Sequence, residues 1–234
     1  MKYLGGKSRL AGKFSNILND AISRSKGNFY EPFVGGFNIV PHIDKFNGKI
    51  ICSDIHSGLI FLYKSLDGGW LPPDNLSRDL YDQLKVNKRQ DDALSVFTSF
   101  ACSFGGKEWG GFANDGKGLR NYCKEGKSNL LKKLPHIKRC HFKNCSYSDL
   151  VIEPNSVVYC DPPYKNTTGY KTGDFDSDSF YNWCEQIVAS GSEVFVSEFS
   201  APDHWQVVWE KDRKISVDIS NYKTKTDKLF KVLI

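Results

Sequence analysis

Three short apolar runs in this chain each stop on a group that carries chemistry, and helical patterning separates them. "NFYEPFVGG" (28–36) runs into two glycines, "GKIICSDI" (48–55) into Asp54, and "SVVYCDPPY" (156–164) into an acid, two prolines and a tyrosine. Ahead of the first, Leu10, Phe14, Ile17, Leu18, Ala21 and Ile22 recur at helical spacing and predict an amphipathic helix over 8–24. "HSGLIFLYKSL" predicts a second after Asp54, and Phe180, Trp183, Cys184, Ile187 and Val188 a third. A helix over 37–46 is expected in spite of Pro41. Strand alternating with helix specifies an α/β fold, a parallel sheet with crossover helices. "EVFVSEF" adds a strand, and "WQVVW" and "KLFKVLI" close the chain as an antiparallel pair.

From residue 68 the alternation breaks. "DGGWLPPDN" is turn-rich, "LSRDLYDQLKV" and "DDALSVFTSFACSF" are helical, and "GGKEWGGFANDGKG" is a glycine-rich loop holding Trp109 and Phe112. Residues 68–137 therefore read as an insertion between two parts of one sheet, 1–67 and 138–234, a size that 234 residues accommodate. The charge is equally uneven. Between Lys117 and Lys143 stand nine Lys or Arg and one acid, Glu125, so this stretch carries about +8 while the whole chain is only +5. A concentrated positive stretch in a near-neutral chain suits a polyanion partner, although a solvated lysine-rich face gives the same pattern. Seven cysteines without a C-x-x-C pair point to a reducing compartment and to no metal site. Cys160, last of an apolar run, reads as a core residue rather than a nucleophile. "MKYLGGKSRL" has no secretory character, and no window approaches 18 apolar residues, so a cytoplasmic protein without a membrane span is expected.

In an open α/β sheet, ligands sit beyond the carboxyl ends of the strands. At one such end, Gly35-Gly36 would let a ligand approach the backbone, and Asp54, nineteen residues on, could accept from both hydroxyls of a ribose. A plain glycine turn and helix cap would leave the same trace. At another, Pro162 and Pro163 remove two backbone donors and fix φ, so nearby carbonyls face outward without competing amides. Asp161 and the Pro162 carbonyl could then accept the two protons of an exocyclic amine, with Tyr164 as a flat face for a planar base. A proline turn of no chemical consequence is the alternative.

"YLGGKSRL", "EPFVGG", "SDI" and "YCDPPY", in that order and spanning nearly the whole chain, resemble the Dam-type (D12 class) DNA adenine-N6 methyltransferases, phage-borne members included. The resemblance implies a Rossmann-like sheet with helices on both faces, S-adenosylmethionine as cofactor, and a mostly helical target-recognition insertion. It implies that Tyr3, Lys7, Phe33, Gly35, Gly36, Asp54 and Asp161 contact the cofactor and that Asp161, Pro162, Pro163 and Tyr164 form the catalytic turn on a flipped adenine. Two departures stand out. Phe37-Asn38 replaces a third glycine and a serine, and "FGGKEWGGFANDGKGLRNY" replaces the insertion run of members that read GATC.

Double-stranded DNA is thus the expected partner, with no obligate protein partner. Arg120, Lys124 and Lys127 are candidates for phosphate contacts. Trp109, Asn114 and Arg120 are candidates for base readout or wedging, packing inside the insertion being the competing role for Trp109. RNA adenine or cytosine N4 as the acceptor, and a silent DNA-binding module of the same fold, are the rival functions.

Overall fold

The computed structural model describes residues 2–163, 175–216 and 222–234. Its six helices and seven strands are α1 (Ala11–Arg24), β1 (Phe29–Glu31), β2 (Ile50–Asp54), α2 (Ser57–Asp67), α3 (Arg78–Asn87), α4 (Ala93–Ala101), α5 (Tyr122–Ile137), β3 (Cys140–Asn144), β4 (Val157–Cys160), α6 (Ser177–Ala189), β5 (Glu193–Glu198), β6 (Gln206–Ser216) and β7 (Tyr222–Lys231). The sheet order is β3-β2-β1-β4-β5-β7-β6. The α/β expectation is met, and β7 lies between β5 and β6, antiparallel to both.

Contacts group the chain into two compact units. The first comprises 1–12, 34–43 and 52–145, so α3, α4 and α5 fold together with the glycine loop and the end of β2. The second comprises 13–33, 44–51 and 146–234.

In the second unit, β1 and β4 run parallel with Phe29 opposite Val157, and β4 runs parallel to β5 with Cys160 opposite Val196. Every residue of β4 is buried, which is why it reads as an unbroken apolar run rather than an alternating one. Phe14 of α1 packs edge-on against Trp209, with ring centroids 5.1 Å apart, and against Tyr159 at 6.2 Å. Pro32 cannot donate to a ladder, so β1 ends after three residues.

In the first unit, α4 is apolar or small on all sides, and eight of its nine residues are buried. It packs against α2, α3 and α5. Gly126 of α5 permits the last contact, since a Cβ there would come within 2.6 Å of the Ala101 Cβ. Short side chains start these helices: Ser77 accepts from the Leu80 amide, Asp92 from Leu94 and Asn121 from Lys124.

Two expectations need correction. The helix over 37–46 is only a 3-10 turn, Val40–His42. Phe37 adopts φ 54°, outside the helical region, and the chain is extended again at Ile43. Conversely, α5 and β3 form in the charged stretch, where neither was expected. The buried stripe of α5 is Cys123, Gly126, Leu130 and Ile137, helical in spacing but weakly apolar, and Pro135 lies inside it. β3 exposes three of its five residues and carries little apolar signal.

Candidate active site

The glycine loop is built in the first unit. The Val34 amide donates to the Ser53 carbonyl at 3.0 Å, holding the loop beside β2. Asp54, at the end of β2, accepts from the Gly35 amide through Oδ2 and from the His56 amide through Oδ1, both at 2.9 Å. One lone pair on each oxygen is thereby used, and the carboxylate retains capacity to accept two hydroxyls. Burial raises the Asp54 pKa, while the hydrogen bonds from His56 and Gly35 pull against it.

Gly35 is required twice over. Its φ is +42°, and a Cβ there would meet the Tyr3 ring at 3.0 Å. At Gly36 a Cβ would sit 2.8 Å from the Tyr3 Cβ. Tyr3 thus lies directly against both glycines, its ring 5.4 Å from that of Phe100. The Tyr63 hydroxyl donates to the Gly35 carbonyl at 2.5 Å. Lys7 is buried, and its carbonyl accepts from the Leu10 and Ala11 amides at the start of α1.

His56 carries no signal in the sequence that singles it out. It caps α2 by accepting the Leu59 amide on Nδ1, and its Nε2 lies 3.2 Å from Glu108 Oε1. Burial works against charge on this imidazole, but Glu108 and then Asp54 outweigh it and hold the pKa above its ordinary value. No local pattern announces a partner 52 residues away.

In the second unit the turn of Asp161, Pro162 and Pro163 leaves β4 at Cys160. Pro162 is buried, Asp161 and Pro163 are half-buried, and Tyr164 lies outside the described residues. Phe33, just beyond the end of β1, belongs to an aromatic group with Tyr147 at 5.5 Å, Phe180 at 5.7 Å and Phe175 at 6.1 Å. Cys160 is fully buried, as a core residue would be.

Candidates in the basic stretch fare differently from one another. Asn114 and Arg120 come together on the wall of a 290 Å³ cavity that Asn75, Phe112, Asn121 and Tyr122 also line. Arg120 forms a two-pronged pair with Glu125, at 2.9 and 2.6 Å, and its guanidinium lies 4.5 Å from the centre of the Tyr122 ring. Lys127 is tied to Asp74 at 3.0 Å, whereas Lys124 is exposed.

Trp109 is the correction. It is 8% exposed, its ring packs on Tyr81 with centroids 5.5 Å apart, and its amide donates to the Ser99 carbonyl. It anchors the glycine-rich loop and presents no wedge. The exposed aromatic of that loop is Phe104, 71% accessible, which the sequence pattern does not mark out. Its one signal is a position beside two glycines and Lys107.

Among the described residues no group of three or more His, Cys, Asp or Glu could hold a metal ion, and no helix is long and apolar enough to cross a membrane.

Residues 3–232 match the family model of the D12 class N6 adenine-specific DNA methyltransferases. The DNA adenine methylases of two Vibrio cholerae serotype O1 strains are each 27% identical to the chain over 258 aligned positions, covering 96% of it and 81% of their own length. Two structures of the rRNA methyltransferase aviRa from Streptomyces viridochromogenes align over 94% of the chain and 84% of their own, at 12% and 11% identity with TM-scores of 0.39 and 0.40.

Proposed function

The chain belongs to the D12 class of N6 adenine-specific DNA methyltransferases, whose reaction is methylation of adenine in DNA, and we propose that its methyl donor is S-adenosylmethionine and its acceptor an adenine flipped out of double-stranded DNA. The observation that supports the reading is the placement of Asp161-Pro162-Pro163 at the carboxyl end of β4, a buried strand parallel to β1. Ligands of such sheets bind at those ends.

The residues fit the cofactor. Gly35 and Gly36 leave bare backbone where side chains would intrude, and Asp54 keeps acceptor capacity for two ribose hydroxyls. Tyr3, Lys7 and Phe33 complete the set that would hold it. When bound, S-adenosylmethionine supplies an electrophilic methyl carbon. On the adenine side, Asp161 and the Pro162 carbonyl accept hydrogen bonds from the two N6–H groups, which fixes the amine and aims its lone pair away from both acceptors. Tyr164 provides the stacking face. Asp161 acts as an ionised acceptor, so orientation and electrostatics carry the catalysis and no strong base is needed.

On the DNA, Asn114 and Arg120 reach bases from their shared cavity wall, Phe104 supplies the exposed aromatic, and Lys117, Lys124 and Lys132 meet phosphates. Three phosphate contacts would cost about 40-fold in affinity between 50 and 200 mM salt. A binding isotherm that does not move with salt would remove the basic patch from the proposal. The reaction itself is tested with methyl-labelled S-adenosylmethionine and duplex DNA. Label in N6-methyladenine is the expected result. Label in RNA alone or in N4-methylcytosine would redirect the reading, and DNA binding without label would make the chain a silent binding module. With this reading goes a location in the cytoplasm of a bacterium or a phage-infected cell.

A further inference from the structure

Lys133 lies in the stretch that sequence alone assigns to phosphates, yet its ammonium points into the glycine loop. From α5 its Nζ donates to the Gly36 carbonyl at 2.7 Å and to Asn38 Oδ1 at 2.9 Å, and the side chain is half-buried. Those acceptors are held in an uncommon backbone. Gly35 has φ 42° and Phe37 φ 54°, the latter a left-handed conformation that a bulky residue adopts only when its surroundings enforce it. The surroundings are clear for Phe37. It is fully buried, 5.4 Å from Tyr63 and 6.0 Å from Phe142 between ring centres. Asn38 is wedged between two glycine turns, since a Cβ on Gly6 would lie 2.7 Å from its Nδ2 and a Cβ on Gly36 would lie 3.0 Å from it.

The two positions where this chain departs from the family pattern, Phe37 and Asn38, therefore supply the buried anchor and the polar acceptor of one device. A serine at 38 would be too short to occupy the space between Gly6 and Gly36 and reach the same ammonium.

We propose that Lys133 and Asn38 form a lock that holds the 35–38 loop in its cofactor-binding shape and ties that loop to α5, so that DNA seated on α5 and cofactor seated on the loop each strengthen the other. The proposal rests on the methyl-transfer reading above for its two ligands. Lys133 is a positioning residue, because it donates to two loop oxygens. A helix that must satisfy both phosphates at Lys124 and a carbonyl at Gly36 has fewer allowed placements when either ligand is present. The coupling is reciprocal by thermodynamic necessity.

The test uses the full chain and the variants Lys133→Met, Lys133→Arg and Asn38→Ser. Amide hydrogen exchange of residues 35–38 is measured in the protein alone, and S-adenosylmethionine affinity is measured with and without a DNA duplex. Lys133→Met should speed exchange at 36–38 and weaken cofactor binding about tenfold, the scale of a lost charged hydrogen bond. It should leave DNA affinity without cofactor within about twofold. The enhancement of cofactor affinity by DNA should fall to about one. Lys133→Arg, whose guanidinium also reaches two acceptors, should restore most of each effect, and Asn38→Ser should reproduce part of them. Unchanged exchange and unchanged cofactor affinity in Lys133→Met would overturn the lock. So would weaker cofactor binding with unchanged exchange, which would make Lys133 a direct charge on the ligand. A wild-type protein that binds no S-adenosylmethionine would overturn the methyl-transfer reading instead, and the exchange rates would still decide whether the lock exists.

Discussion

Asp161→Ala should lower turnover by at least about 10³-fold, equivalent to about 4 kcal/mol in the barrier, while affinity for DNA stays within a few-fold. The carboxylate follows directly on β4, a strand whose four residues are all buried and which is paired on both sides, so its position is set by the sheet. Removing it takes away one of two acceptors for the N6 protons without disturbing Pro162 and Pro163, whose fixed φ keeps the turn open. The amine then rotates, and its lone pair no longer has a defined direction. Loss of alignment alone costs orders of magnitude in rate. Single-turnover methyl transfer at saturating DNA and cofactor is the measurement, with gel or fluorescence binding as the control. Wild-type transfer rates in this variant would end the assignment of Asp161.

Asp54→Asn should do the reverse, weakening cofactor binding by about 100-fold or more while kcat at saturating cofactor and DNA affinity change little. The wild-type carboxylate organises Gly35 and His56 through two backbone amides, and in the proposal its remaining lone pairs accept from a ribose. The asparagine amide nitrogen would face one of those amide donors and present no acceptor there, so two charge-assisted hydrogen bonds are lost, each worth about 1.5–3 kcal/mol. Titration calorimetry with S-adenosylmethionine decides the matter. A variant that binds cofactor as the wild type does would remove Asp54 from the site.

The same substitution has a pH signature. Burial, partly offset by the His56 and Gly35 amides, raises the Asp54 pKa in the folded state. The protonated carboxyl is therefore favoured by folding. Its contribution to stability is fully present below the unfolded value of about 3.9 and is lost as pH rises through the folded value. Relative to wild type, Asp54→Asn should gain stability as pH rises from about 3 towards neutrality, which denaturant melts at several pH values would register. A difference that stays flat with pH would show that burial does not raise this carboxyl.

In the proposal these two variants separate two roles: turnover is assigned to the end of β4 and cofactor affinity to the end of β2. The strand ends themselves are legible in the amino-acid sequence, because a strand that leaves the core on a polar residue displays the fact locally. Apolar or small residues fill the buried part of β2 and β4, and the carboxylate appears where the strand leaves the core. Helices α1 and α2 are legible for a related reason, since a wide buried face repeats every three or four residues. Helix α5 is not, because its buried stripe is narrow and includes a cysteine and a glycine chosen for close approach to α4. Trp109 and Phe104 show the same limit from another side. Both are aromatic and both lie in or beside the glycine-rich loop, but Tyr81 of α3 receives one ring and nothing in the loop itself says which.

What the amino-acid order decided by itself is the alternation of strands and helices, the residues at the strand ends, and four motifs spaced as in one enzyme family. Each is a local property, set by periodicity or covalent spacing, and it survives whatever the chain packs against. What the tertiary structure decided is which charges remain available. Nine cations between 117 and 143 look alike in sequence, yet Lys133 is drawn to Gly36 across 97 residues and Lys127 to Asp74 across 53, while Lys124 is exposed. The physical reason is that an ammonium binds whichever oxygen folding brings to it. Pairing of that kind depends on positions in space, which composition and spacing along the chain do not contain.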